Sequence, residues 1–282
     1  MYVIKVGGGE GNAIEPLVKE LADRWQSGER WVLVHGGSAR VNEVATALDH
    51  PPEFVTSSSG FRSRRTDKRT AEIFAMVVTG DVNTSIVRML QEYDVNAVGL
   101  SGLDGRLMSG PRKKAIRVKE NGRQRIIRDD YTGKVTSVNA DLLRTLLENG
   151  YAPVVSPPAI STEEEIINVD GDRAAAAIAG SLKADELILL TGAPGLLADA
   201  DDPDSRIDFV PRSGIKEAIS NYAEGRMRIK LLAASEALDG GVGRVFIGAS
   251  NTSNPLATVF SGEGTRFEQD AVNEENQEGV EQ

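Results

Sequence analysis

Four short stretches of this 282-residue chain carry residues whose types and spacing could do chemistry. The first is Tyr2-Val3-Ile4-Lys5-Val6-Gly7-Gly8-Gly9, an apolar run with a lysine inside it and three consecutive glycines after it. A strand, a glycine turn and a helix start together make an anion site, because bare backbone N–H groups and the positive helix end point at one place. The pattern is neither a P-loop nor GxGxxG, since Lys5 precedes the glycines instead of following them. The second stretch, Trp31-Val32-Leu33-Val34-His35-Gly36-Gly37-Ser38, repeats the strand and glycine turn. The third is Asn168-Val169-Asp170-Gly171-Asp172, and the fourth is Gly225-Arg226-Met227-Arg228-Ile229-Lys230. Each has a plain reading: a tight turn, a helix cap, a solvated basic face. One cap explains one polar residue of the third stretch, not three. A basic helix start runs against the macrodipole, and such local conflicts point to function.

The elements that must position these residues follow from periodicity. Ile14, Leu17, Val18, Leu21, Ala22 and Trp25 fall on one face of a helix over 13–25. Strand, glycine turn and helix occur twice in the first fifty residues, which predicts a parallel sheet with helical crossovers. Ligands of such sheets sit at the carboxyl ends of the strands, so two glycine loops there reinforce each other. Helices are expected over 66–79 and 81–93, and a strand over Val95–Gly99. Residues 111–128 read as a β-hairpin around Asn121-Gly122. A two-residue loop would pair Val118 with Arg125, and the register stays open. A helix near 139–149, a strand at Ala152–Ser156, an alanine-rich helix from Asp172 to Leu182, a strand at Glu186–Leu190, a helix near Met227–Leu238 and a strand at Arg244–Ile247 complete the pattern. The expected architecture is α/β: a three-layer αβα sandwich on a mainly parallel open sheet. It has an N-terminal lobe over 1–160, a C-terminal lobe over 161–267 and a disordered acidic tail over 268–282.

Composition removes several classes. There are no cysteines, hence no disulfides or thiolate metal sites, and two histidines are too few for a histidine-built metal centre. No apolar run approaches the length of a membrane span, and no leader is visible, so a cytoplasmic protein is expected. The net charge is −10 but uneven. Residues 60–134 carry 16 Lys and Arg against 9 Asp and Glu, while the rest carries 16 against 33. A basic island on an acidic protein calls for an acidic partner or substrate. Nucleic acid is disfavoured, because stacking aromatics are nearly absent from 100–130.

Lys5 before its glycine loop, His35-Gly36-Gly37, Gly60-Phe61-Arg62, Asn168 with Asp172, and Gly225-x-Met227-x-x-Lys230 resemble the amino acid kinase superfamily, specifically its N-acetylglutamate kinase group. The match runs in order over residues 2–262. Gly8-Gly9-Glu10-Gly11, Ser59 to Asp67 and Arg128 to Val135 resemble the branch that depends on a carrier protein. Two positions depart from the pattern: Ser38 stands where a third glycine is usual, and Gly192 where an acidic residue often follows the strand-end threonine.

The resemblance implies an ATP- and Mg2+-dependent kinase. It would phosphorylate the side-chain carboxylate of glutamate or aminoadipate held on a small acidic LysW-type carrier, in arginine or lysine biosynthesis. Lys5, Lys230 and Asp172 would be catalytic, and Gly7, Gly8 and Gly9 the phosphate-binding loop. Gly36, Gly37, Arg62 and Asn168 would bind substrate. Arg64, Arg65, Lys113, Lys114, Arg117 and Lys119 would meet the carrier, with no metal held directly by side chains. The chain lacks the extra N-terminal helix of arginine-inhibited hexameric relatives, which leads to the expectation of a homodimer. The alternatives are a kinase for free acetylglutamate, and a non-catalytic nucleotide-binding regulator on the same fold.

Overall fold

Trp31–His35 and Ala152–Ser156 are buried along their whole length, which requires a sheet covered on both faces. The computed structural model describes residues 1–9, 14–57, 62–120 and 123–270; the side chains of Arg62, Lys119, Glu120 and Arg123 lie outside that description. In chain order the strands are β1 (Tyr2–Val6), β2 (Trp31–His35), β3 (Phe54–Ser57), β4 (Arg62–Arg64), β5 (Ala97–Ser101), β6 (Met108–Gly110), β7 (Ile116–Glu120), β8 (Arg123–Ile127), β9 (Ser137–Val138), β10 (Ala152–Ser156), β11 (Ala159–Ser161), β12 (Ile166–Ile167), β13 (Glu186–Thr191), β14 (Phe209–Pro211), β15 (Arg244–Ala249) and β16 (Gly264–Glu268). The helices are α1 (Glu15–Gln26), α2 (Ser38–Ala47), α3 (Lys68–Ala75), α4 (Thr84–Gln91), α5 (Ala140–Glu148), α6 (Gly171–Leu182), α7 (Ile215–Asn221), α8 (Gly225–Asp239) and α9 (Pro255–Phe260).

The main sheet has eight strands in the order β14-β16-β15-β13-β1-β2-β10-β5. It is parallel from β15 to β5, while β16 runs antiparallel to β15 and β14 follows β16. Two small four-stranded sheets, β12-β11-β6-β9 and β4-β3-β7-β8, complete the described strands. Because strand side chains alternate between faces, the main sheet splits its core in two. Val3, Val32, Val34, Leu187 and Leu189 join one cluster with α6 and α8. Ile4, Val6, Leu33, Ile188 and Leu190 join the other with α1 and α4. Lys5 therefore points toward α6 and α8, and His35 toward the opposite layer.

Several expectations shift. The two helices expected over 66–93 are one continuous helix, Lys68–Gln91. Its middle, Met76–Asn83, is a π-helical segment between α3 and α4. Gly80, which reads as a break, lies inside that segment with open space where a Cβ would go. By length and composition this helix could cross a membrane, but Ile73, Phe74, Val77, Val78, Ile86 and Leu90 are buried in the protein core. The strand expected over Val95–Gly99 is β5, two residues further on. Asn121 and Gly122 lie outside the described residues, yet β7 and β8 pair Val118 with Arg125, the register of a two-residue loop. The expected tail begins one residue too early, because Glu268 closes β16; residues 271–282 lie outside the description.

Candidate functional site

Three charged side chains from three elements meet under the carboxyl end of β1. Asp170 caps α6, its carboxylate accepting from the N–H groups of Asp172 and Arg173 at 3.0 Å each. That cap fixes the first turn and turns Asp172 inward. One Asp172 oxygen lies 2.6 Å from Lys5 Nζ and the other 2.7 Å from Lys230 Nζ. Lys5, Asp172 and Lys230 are 7, 5 and 5% exposed, so water screens their charges little. Burial alone would raise the Asp172 carboxyl, but the Lys5 and Lys230 ammonium groups bring it down to about 2. Burial and the Lys5 charge hold Lys230 below the usual ammonium range, against the pull of Asp172. Two ammonium groups share the Asp172 carboxylate in a nearly dry place, while the neighbouring Asp170 carboxyl, pushed toward its neutral form by burial and then by Asp172, lies in the field of both lysines. Buried charges cost free energy unless they are paired.

The glycine loops follow the ends of β1 and β2 and lie against each other. A Cβ on Gly8 would stand 1.8 Å from Gly37 N, and one on Gly36 would stand 2.5 Å from Gly8 N. Only glycines allow the two backbones to cross so closely. Gly36 N–H donates to Val6 O at 3.0 Å, and Ala39 N–H donates to Gly8 O at 2.9 Å. Ser38 uses its hydroxyl to donate to Gly8 O at 3.1 Å, which locks the crossing. Gly37 begins α2 without a side-chain cap. Among the described residues, no acceptor meets the N–H groups of Gly8, Gly37 or Ser38. Bare backbone donors at a helix start, in the loop that follows Lys5 and its strand, are the ingredients of an anion site. Gly7 spends its N–H on Leu190 O at 3.3 Å, so it shapes the loop without offering a free donor.

The expected substrate residues are held by the neighbouring segments. Asn168 exchanges backbone bonds with Tyr131 and Gly133, and its Nδ2 donates to Thr66 Oγ1 at 3.2 Å. Fully buried Thr66 also accepts from Tyr131 N–H. Thr66 and Tyr131 thus set Asn168, a dependence across a hundred residues that no local pattern reveals. Arg62 pairs with Thr56 in the β3–β4 register, and its side chain is outside the description. Gly60 and Phe61 are outside it too.

The six arginines and lysines expected to meet a carrier fall into different environments. Arg64 is partly buried and donates to Ser38 O at 3.2 Å, while its Nη1 is buried and meets no hydrogen-bond partner among the described residues. Burial, then the nearby Arg226, holds its guanidinium below its usual value. Arg65 is engaged by Glu53 at 2.7 Å and Asp129 at 3.1 Å. Lys113, Lys114 and Arg117 stand exposed, and no ion pair among the described residues engages them. The Lys119 side chain is outside the description. Arg226 escaped the sequence reading as a site residue. The only signal was its place in a basic helix start, with Glu224 at the cap position making no side-chain bond.

Residues 1–249 match the model of the amino acid kinase family. The chain belongs to the amino acid kinase family. A [LysW]-aminoadipate kinase of Deinococcus radiodurans is 50% identical over 265 residues, 94% of this chain and 90% of that protein. The [LysW]-aminoadipate kinase of Thermus thermophilus is 48% identical over 266 residues, 94% of this chain and 99% of that protein. In fold, the chain is similar to N-acetylglutamate synthase of Neisseria gonorrhoeae bound to coenzyme A and N-acetyl-glutamate. The TM-score is 0.75 at 24% identity, over 96% of this chain and 59% of that one. The Lys5–Asp172–Lys230 cluster thus sits in an amino acid kinase fold, at the sheet end where the first βα loop of that fold opens.

Proposed function

We propose that this amino acid kinase uses ATP and Mg2+ to phosphorylate the side-chain carboxylate of glutamate or aminoadipate carried on a small acidic LysW-type protein, giving an acyl phosphate. The observation that carries the reading is the pair of buried ammonium groups, Lys5 and Lys230, sharing the Asp172 carboxylate, together with the crossing glycine loops whose Gly8, Gly37 and Ser38 N–H groups meet no acceptor among the described residues. A carboxylate acceptor, with an ordinary pKa of about 4.3, is already ionised at neutral pH, so no general base is required. What the reaction needs is alignment of two anions and neutralisation of charge on the moving phosphoryl group. A carboxylate oxygen bonds to the γ-phosphorus as the bond to the bridging oxygen breaks, and ADP leaves. Lys5 and Lys230 neutralise the phosphoryl oxygens, and Asp172 holds both ammonium groups in place. The N–H groups of Gly8, Gly37 and Ser38 orient the two anions, and Arg62 and Asn168 hold the rest of the acyl substrate.

Magnesium would ride on the ATP phosphates. Both Asp172 oxygens face ammonium groups, and among the described residues no cluster of three His, Asp or Glu could bind a metal unaided. The exposed Lys113, Lys114 and Arg117 support a carrier over a free amino acid, since one or two cations suffice for the latter. In the same reading residues 1–160 form the acyl-substrate lobe and 161–267 the nucleotide lobe, and the enzyme is a cytoplasmic homodimer. A steady-state assay tests the substrate: carrier-bound aminoadipate or glutamate is expected to turn over far faster than free acetylglutamate. Equal rates would sink the carrier reading.

A further inference from the structure

His35 ends a strand that is buried throughout, on the sheet face opposite Lys5, and it is 1% exposed. Its ring is tied at both nitrogens. Nδ1 lies 2.7 Å from Gly36 O, and Nε2 lies 3.0 Å from Asn83 Nδ2. Asn83, 2% exposed, closes the π-helical segment and also donates from Nδ2 to Val154 O at 2.9 Å. This network permits one arrangement of hydrogens. Val154 O can only accept, so the Asn83 amide nitrogen faces it; the second amide hydrogen then points at His35 Nε2, which must be the bare, accepting nitrogen. The ring proton sits on Nδ1 and is donated to Gly36 O. Burial keeps the ring neutral, at about 4. A protonated ring would set an N–H against an N–H.

The Gly36 carbonyl belongs to the same planar trans peptide as the Gly37 N–H, and the two point in opposite directions. Holding Gly36 O therefore aims the Gly37 N–H away from His35. Val78 and Val82 of the π-helical segment press on the same glycine, at 2.9 and 3.3 Å from where a Gly37 Cβ would stand. The π-helical widening lets one stretch place these two valines on Gly37 and Asn83 on the ring behind it. Such segments are rare and favour functional sites. Behind Asn83, its Oδ1 fills the space over Gly99, where a Cβ would lie 2.0 Å away.

We propose that Asn83 is a positioning residue for phosphoryl transfer: by fixing the Nδ1–H tautomer of His35 it locks the Gly36–Gly37 peptide with its free N–H turned to the reacting anions. The inference rests on the kinase reading above.

The chain has only two histidines, so 15N NMR of the imidazoles in the whole protein, with His50→Gln for assignment, reads the tautomer directly. Wild-type His35 is expected as Nδ1–H at neutral pH; an Nε2–H ring would overturn the proposal. Asn83→Leu removes the donor. Gly99→Ala displaces the Asn83 side chain while leaving Asn83 and His35 in the sequence, a second route should the first variant not fold. Both are expected to free the tautomer and lower kcat about 10²-fold, the scale of a small misalignment at the reacting centre, with KM for ATP little changed. Thr79→Val, which breaks the 2.9 Å contact between Thr79 and Ser156 in the same segment, is expected to keep both tautomer and kcat. A folded variant with a freed tautomer and wild-type kcat would overturn the proposal, as would a Thr79→Val loss equal to that of Asn83→Leu. An inactive wild type would count against the kinase reading, while the tautomer would still decide the network.

Discussion

Replacing Asp172 with Asn preserves the side chain's shape and removes the one negative charge between two buried ammonium groups. Its oxygens lie 2.6 Å from Lys5 Nζ and 2.7 Å from Lys230 Nζ, all three side chains being nearly inaccessible. Removing one partner of a buried ion pair costs about 3–5 kcal/mol, because the remaining charge has no counter-charge. Here two cations are left facing each other, which argues for the upper end of that range. Lys230, already held below the usual ammonium range, can shed its proton and limit the cost. We expect a loss of about 4 kcal/mol without nucleotide. For a chain of this size each kcal/mol moves Tm by about 2–4 °C, so the drop is roughly 8–16 °C. Nucleotide phosphates supply the missing anion, so MgADP is expected to raise Tm more in Asp172→Asn than in the wild type. Thermal unfolding of both proteins, with and without MgADP, reads all four numbers. A variant as stable as the wild type without nucleotide would refute the claim that Asp172 compensates two buried ammonium groups. So would equal nucleotide shifts in the two proteins.

Four further outcomes follow from the same geometry. Lys230→Met is expected to lower kcat by about 10²–10³, the scale of removing one preorganised stabilising group, while Lys5 still balances Asp172 and keeps the fold. Gly8→Ala puts a methyl 1.8 Å from Gly37 N and should abolish turnover; Gly192→Ala, with nothing within 4 Å, should leave turnover unchanged. The Asp172 carboxyl lies at about 2 in the folded protein against 3.8 as the ordinary value. The folded state thus binds fewer protons, and about 2 kcal/mol of stability, full above pH 4–5, is lost as pH falls toward 2; urea unfolding of wild type and Asp172→Asn between pH 5 and pH 2 should show the wild type losing more. Lys113→Glu with Lys114→Glu should raise KM for the carrier-bound substrate and flatten its salt dependence, leaving KM for ATP alone.

Much of this site can be read along the chain, because its parts sit where local chemistry is unusual. Lys5 interrupts a buried strand, Asp172 exceeds what a helix cap needs, and Lys230 follows a helix start of the wrong sign. Each conflict with local propensity marks a residue that the tertiary structure uses. What escapes is whatever depends on distant partners. His35 looks like the first letter of a glycine loop until Asn83, 48 residues on, is found against its ring. The π-helical segment has no pattern of its own, since the apolar spacing of 68–91 fits two ordinary helices about as well. Arg64 and Arg65, next to the substrate candidate Arg62, read alike as exposed carrier contacts. Arg64, however, turns inward to Ser38 O and Arg65 is spent on Glu53 and Asp129, so adjacent arginines in one run do different work.

The central claim is transfer of phosphate to a carried carboxylate, and acyl phosphate formation tests it most directly. Purified protein with MgATP and carrier-bound aminoadipate or glutamate, trapped with hydroxylamine, should yield hydroxamate on the carrier in step with ADP release, and Lys5→Met should yield almost none. ADP release without hydroxamate, or equal yield from Lys5→Met, would contradict the account.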